Sequence, residues 1–188
     1  MPDFSSVIFR YRDLSTPAGT TTIEEHRSII VAKGYVWWGW WNKQGESVPE
    51  DAFREILSEI KRSSRYEVFL FDTGRYQLRR AFLSDMVWDP RLVPIASPER
   101  EATPNYYGDS HYLAWFRLTE IQPDPLPEGN LHRWSYTRVD ALFETKKSIF
   151  DAFYDKQVSS FKELRNQDRT IWFIRQKAER DGVHEIHV

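Results

Sequence analysis

Strand-like segments outnumber helical ones in this chain by six or seven to two, and that imbalance limits its fold more than any other feature. A helix after nearly every strand would signal a doubly wound parallel sheet, whereas runs of strands with few helices signal a small barrel or a strongly curved mixed sheet. Val7–Tyr11 interleaves apolar and aromatic residues with arginine and reads as a first strand, ended by Ser15-Thr16-Pro17-Ala18-Gly19. Ile29–Trp41 is almost continuously apolar and reads as a buried central strand, with Gly34 and Gly39 as positions of bulging or close backbone approach. Tyr66–Phe71 and Tyr76–Phe82 flank Asp72-Thr73-Gly74-Arg75, a turn composition that predicts an antiparallel hairpin. His111–Ile121 and Trp134–Phe143 add strands, and Thr170–Gln176 with Val183–Val188 suggests a second hairpin about Asp181-Gly182.

The clearest helix covers Pro49–Lys61. Ser47 suits its cap, Glu50 follows three residues on, Pro49 fits its first turn, and Phe53, Ile56, Leu57 and Ile60 form an apolar stripe. A second helix is expected over Ser148–Leu164, with Phe150, Phe153, Val158, Phe161 and Leu164 on one face. A long polar and proline-bearing loop, Asp89–Ser110, separates two strands, and loops of this length often carry function. The expected architecture is α+β: a small curved β-barrel with one inserted helix over residues 1–146, and a C-terminal helix plus hairpin packed on it over residues 147–188. Because the chain ends in a strand-like segment, it is expected to lead into a further domain of a longer protein.

A length of 188 residues with 40% hydrophobic and 29% charged residues is globular composition. No apolar run reaches the roughly 18 residues of a membrane span, and Met1-Pro2-Asp3-Phe4 does not open a secretory signal. The absence of cysteine excludes disulfides and thiolate metal sites and suits a reducing cytoplasm, the expected compartment. A net charge of −2 supplies no global field for a polyanion, so nucleic-acid binding must rest on local patches.

Eight tryptophans are several-fold more than the roughly one per cent of ordinary usage. Four fall in Gly34–Trp41, where period two puts Trp38 and Trp40 on one strand face and Trp37 and Trp41 on the other. A core needs indoles on one face at most, so Trp37, Trp38, Trp40 and Trp41 are candidates for an aromatic recognition pocket, suited to a planar base or a methylated cation. Tyr106 and Tyr107 in the long loop, and Trp115 on the strand after it, are further candidate walls, with packing of the loop by its own aromatics as the plainer reading. Lys43, Arg75, Arg79 and Arg80 are candidate phosphate contacts, although solvated cations are ordinary on any hairpin.

Catalytic patterns are thin. Pro123-Asp124 followed by Glu144-Thr145-Lys146 has the spacing of a metal-dependent nuclease, in which two carboxylates hold magnesium and a lysine activates water. Asp124, however, stands between two prolines, and a linker aspartate beside a helix-start Glu/Lys pair is the ordinary reading. His184 and His187 would point to opposite faces of a strand, and His26 and His111 are either pocket-lining or ordinary hydrogen-bonded histidines. There is no nucleophile elbow, P-loop or dinucleotide fingerprint. The residues therefore favour a non-catalytic, cofactor-free reader of nucleic acid or nucleotides. A nuclease using Asp124, Glu144 and Lys146, or a protein-interaction module with exposed aromatic hot spots, are the alternatives.

From Ile29 to Leu142 the order of elements resembles the PUA-like superfamily, especially its EVE and YTH-type branches. A tryptophan-rich strand precedes a helix, then comes the strand pair Val68 to Met86, a proline-bearing loop, and the aromatic strand starting His111-Tyr112-Leu113-Ala114-Trp115-Phe116. The resemblance implies a small β-barrel that binds RNA or a flipped, modified base in an aromatic pocket, with Trp37, Trp38, Trp40 or Trp41 and Trp115 among its walls. It also implies a nuclease or NTPase effector as fused or associated partner in a defence system. The low net charge departs from the basic RNA-binding members, and the segment after Ser148 has no clear counterpart.

Overall fold

The computed structural model describes residues 5–13, 16–44, 46, 48–63, 65–137, 153–154, 158–167 and 169–177. Their elements run β1 (Ser6–Tyr11), α1 (Thr22–Lys33), β2 (Val36–Gly39), α2 (Glu50–Arg62), β3 (Tyr66–Asp72) and β4 (Gln77–Trp88). Then follow β5 (Ala114–Ile121), β6 (Trp134–Thr137), β7 (Phe153–Tyr154), α3 (Phe161–Asn166) and β8 (Ile171–Gln176), with 3-10 turns at Arg100–Ala102 and Glu128–Arg133. No helix among the described residues is long and apolar enough to cross a membrane.

The strands form one mixed sheet in the order β2-β5-β4-β3-β1-β8-β6-β7. Only β1 and β3 pair in parallel. The expected hairpin is β3–β4, with Tyr66 opposite Leu83 and Asp72 opposite Gln77. The Asp72 carboxylate closes its turn by accepting the N–H groups of Gly74 at 2.7 Å and Arg75 at 3.1 Å.

The sheet rolls upon itself. Trp40, just past β2, donates its indole N–H to the Thr170 hydroxyl, just before β8, at 2.9 Å. In a flat sheet the five strand-to-strand steps between β2 and β8 would hold these residues about 24 Å apart. Glu46, in the loop after β2, fastens the same seam by accepting the Thr170 N–H at 3.0 Å and its hydroxyl at 2.5 Å. The expected closed barrel is not formed among the described residues: side chains alone link the β2 end to the start of β8, and no backbone ladder joins the two edges of the sheet. Phe9 of β1 and Phe116 of β5 meet inside the roll, 4.4 Å between ring centroids, although two strands lie between theirs. The stripe of α2 plugs this interior with buried Phe53, Ile56 and Ile60, while Leu57 is only partly buried.

Other expectations need correction. Ile29–Trp41 is not one strand. Residues up to Lys33 complete α1, Gly34 terminates it in the left-handed conformation (φ 84°) with its N–H on the Ile30 carbonyl, and the strand begins only at Val36. Thr21, Thr22, Ile23 and Glu24 spell the helix start, for Thr21 caps the N–H of Glu24 at 3.2 Å. That signal was overshadowed because the apolar residues of α1 crowd its last turn, where they run on into the tryptophans. The helix α2 begins one residue late, with Pro49 as its cap. Ser148–Leu164 is not one helix: residues 153–154 are strand and the helical part, α3, is confined to Phe161–Asn166. Strand β8, which lies beyond residue 146, sits between β1 and β6 in the sheet. Ser47, the end of the Trp134–Phe143 strand and the Val183–Val188 hairpin arm lie outside the described residues.

Candidate functional site

The C-terminal ends of β1 and β2, the first turns of α1 and the loop before β5 converge on a cavity of about 390 Å³. Each contributes rings: Tyr11 from β1, His26 from α1, Trp38 and Trp41 from the β2 region, and Tyr106, Tyr107 and Tyr112 from the loop. Trp38 is buried and forms the floor, its ring 4.5 Å from His26 and edge-on to Tyr11 at 5.3 Å. Trp41 lies past the strand end and is 57% exposed at the mouth.

The loop is folded, not slack. Ile95 and Tyr112 exchange backbone hydrogen bonds at 2.8 and 3.0 Å, Trp115 donates its indole N–H to the Ile95 carbonyl at 2.9 Å, and Ala102 packs on Trp37 and Trp115. Tyr35 donates to Glu99 at 2.7 Å, tying the loop to the end of α1. Gly39 lets Tyr112 lie against the β2 backbone, since a Cβ there would stand 2.4 Å from the Tyr112 ring.

Polar contacts hold the rings apart. His26 Nδ1 donates to the Thr22 carbonyl at 2.7 Å, leaving Nε2 to accept from the Tyr107 hydroxyl at 2.5 Å, a tautomer set by these partners. Tyr107 also lies 3.1 Å from the Trp37 carbonyl, and Tyr106 donates to the Thr22 hydroxyl at 3.4 Å. Burial lowers the His26 pKa to about 4, and burial raises that of Tyr106 to about 12. Burial likewise pushes the Tyr11, Tyr107 and Tyr112 phenols above their ordinary range. The walls are therefore neutral near pH 7. Charge enters at the mouth through Arg10 and Arg12, and no carboxylate is among the described residues that line the cavity. Arg10 is aimed by the Gln167 and Arg169 carbonyls at 3.5 and 3.4 Å. Arg12 makes no hydrogen bond or ion pair among the described residues.

Of the candidate ring residues, Trp38, Trp41, Tyr106 and Tyr107 line this cavity; Trp37, Trp40 and Trp115 do not. Trp40 is held in the seam, and Trp37 and Trp115 are buried against the loop, Trp115 stacked behind Tyr107 at 6.0 Å. Tyr11, His26 and Tyr112 complete the wall; apart from His26, one of two histidines with a pocket-lining alternative, nothing local singles them out. Among the candidate phosphate contacts, Arg75 and Arg79 line an adjoining depression. Arg80 pairs with Glu67 at 2.6 Å and Lys43 lines neither hollow. Asp124 is exposed in a bend after β5, and Glu144 and Lys146 lie outside the described residues, as do His184 and His187. No cluster of three metal-ligating side chains occurs among the described residues.

A family model described as Pua-like matches residues 7–185 of the chain. No curated relative and no solved structure matches it.

Proposed function

We propose, for a chain that belongs to the Pua-like family, that it is a non-catalytic reader of nucleotides or nucleic acid that stacks one base in the cavity between Trp41 and the tyrosine wall. The observation that carries this reading is the charge pattern: neutral aromatic walls with arginines at the mouth, and no carboxylate among the described lining residues. A methylated cation would be repelled by the guanidiniums of Arg10 and Arg12, whereas a base bearing a phosphate gains from both. The volume is in the range of roughly 300–1,000 Å³ typical of small-ligand pockets. Thr22, Thr73 and Ser110 supply hydrogen-bonding edges around the rings. His26 has both nitrogens engaged within the fold, which suits a structural wall and not a proton shuttle. Reading a base that a partner effector then acts upon, as in a defence sensor, is the biological setting this reading suggests.

Titration with nucleosides and nucleoside monophosphates, followed by tryptophan fluorescence, tests it. Binding should quench Trp41, and Trp41→Ala should weaken it by about 1–3 kcal/mol, the worth of one stacking aromatic. Preference for a trimethylammonium ligand, or no response to any base, would overturn it.

A further inference from the structure

Beside the aromatic cavity lies a second hollow of about 260 Å³, and Tyr11 is the one residue lining both. Three arginines from three elements converge on it: Arg27 from α1, Arg75 from the β3–β4 turn and Arg79 from β4. Its single lining carboxylate is Glu24. Among the described residues that line the two hollows are five arginines and one carboxylate, on a molecule whose net charge is −2.

The state of each guanidinium matters more than the count. Arg75 is partly neutralised by Asp13 at 3.2 Å. Arg79 is held by neutral acceptors, the Pro123 carbonyl and the Gln77 side-chain oxygen, and makes no ion pair among the described residues. Arg27 makes no hydrogen bond or ion pair among the described residues. Planar guanidiniums with open donors suit phosphate oxygens.

We infer that the second hollow is a phosphodiester site and that the ligand is a single strand, one of whose bases occupies the aromatic cavity while a neighbouring phosphate crosses Tyr11 to Arg27 and Arg79. This rests on the base-stacking reading and deepens it: a free base or nucleoside would leave the arginine hollow unused. The shared wall makes the two hollows consecutive stations along one backbone.

The test compares three probes on the whole chain: the four common nucleosides, and mixed-sequence single strands of about eight nucleotides in RNA and DNA form, each over a range of salt. The strands should bind more tightly than the nucleosides and lose affinity with salt at about −0.7 in log–log slope per phosphate contacted. Arg27→Gln should weaken strand binding about threefold to tenfold and flatten the slope by roughly one contact, and Arg27→Glu should do more, both with nucleoside binding unchanged. Because Arg27 supports no other residue by hydrogen bond, its variants should melt with the wild type, which a thermal scan checks. Strand binding insensitive to Arg27→Glu, or with the same salt slope, would overturn the phosphodiester site while leaving the base pocket standing. Nucleoside and strand binding both indifferent to Trp41→Ala would remove the reading beneath it. Whether RNA or DNA binds better assigns the strand's chemistry to one or the other.

Discussion

Two aromatic regions of this molecule have similar ring content and opposite outcomes. Around β6 and β8, Phe69, Trp134, Tyr136 and Trp172 pack into a closed cluster, with Phe69 and Trp134 at 4.5 Å and the buried Tyr136 hydroxyl donated to the Leu131 carbonyl. Around the ends of β1 and β2, Tyr11, Trp38, Trp41, Tyr106, Tyr107 and Tyr112 enclose a space instead of filling it. The difference lies in the polar tips. Apolar rings slide together until voids vanish, because each void forfeits dispersion contacts. Rings tethered by hydrogen bonds to His26 and Thr22 cannot close without breaking them. Tyrosines on a pinned loop held by a helix histidine, and not tryptophan abundance, distinguish the open region.

The largest expected effect contrasts one indole from each. Trp172→Ala in the closed cluster should cost about 3–5 kcal/mol of stability, whereas Trp41→Ala at the open mouth should stay within about 1 kcal/mol, both read by denaturant melts. Equal losses would break the comparison.

Next comes acid sensitivity, which the open region has through His26. Its folded pKa of about 4 lies below the ordinary 6.5, so the unfolded chain binds the extra proton between those values. Stability should therefore be full above pH 6.5 and fall as pH drops toward 4, by up to about 3 kcal/mol from this group. His26→Gln should flatten that slope relative to the wild type; an unchanged slope would show that the imidazole is not held neutral.

Gly39→Ala sharpens the comparison from the backbone side. The new Cβ must displace the Tyr112 ring, which is braced by Ile95 and by Trp115 at 5.1 Å, at a cost of about 1–3 kcal/mol. Displacement should also reshape the cavity, so ligand titration should show a loss that a stability-matched variant elsewhere lacks. The smallest effect is that of Tyr106→Phe, which removes one long hydrogen bond to Thr22. It should cost about 0.5–1 kcal/mol in melts, with a larger loss contradicting its place at the partly open wall.

Much of the fold was legible because its signals are local. The stripe Phe53, Ile56 and Ile60 declares α2, and the Asp72–Arg75 turn declares the β3–β4 hairpin, since periodicity and turn chemistry are decided within a few residues. Helix α1 was legible only in its caps, Thr21 and Gly34, because its apolar residues merge with the run that follows.

The sequence by itself determined the element types of its well-patterned segments, the excess of aromatic side chains and the neighbourhoods in which a pocket was to be sought. Tertiary structure alone decided that β8 inserts beside β1, that Trp40 closes a seam while Trp41 opens a mouth, and that Tyr11, His26 and Tyr112 join the wall. Side-chain period tells which residues share a face of one strand. It says nothing about which distant segment packs against that face, and this cavity is made where residues 10–12, 22–26, 38–41, 73 and 106–112 are carried together by the rolling of the sheet.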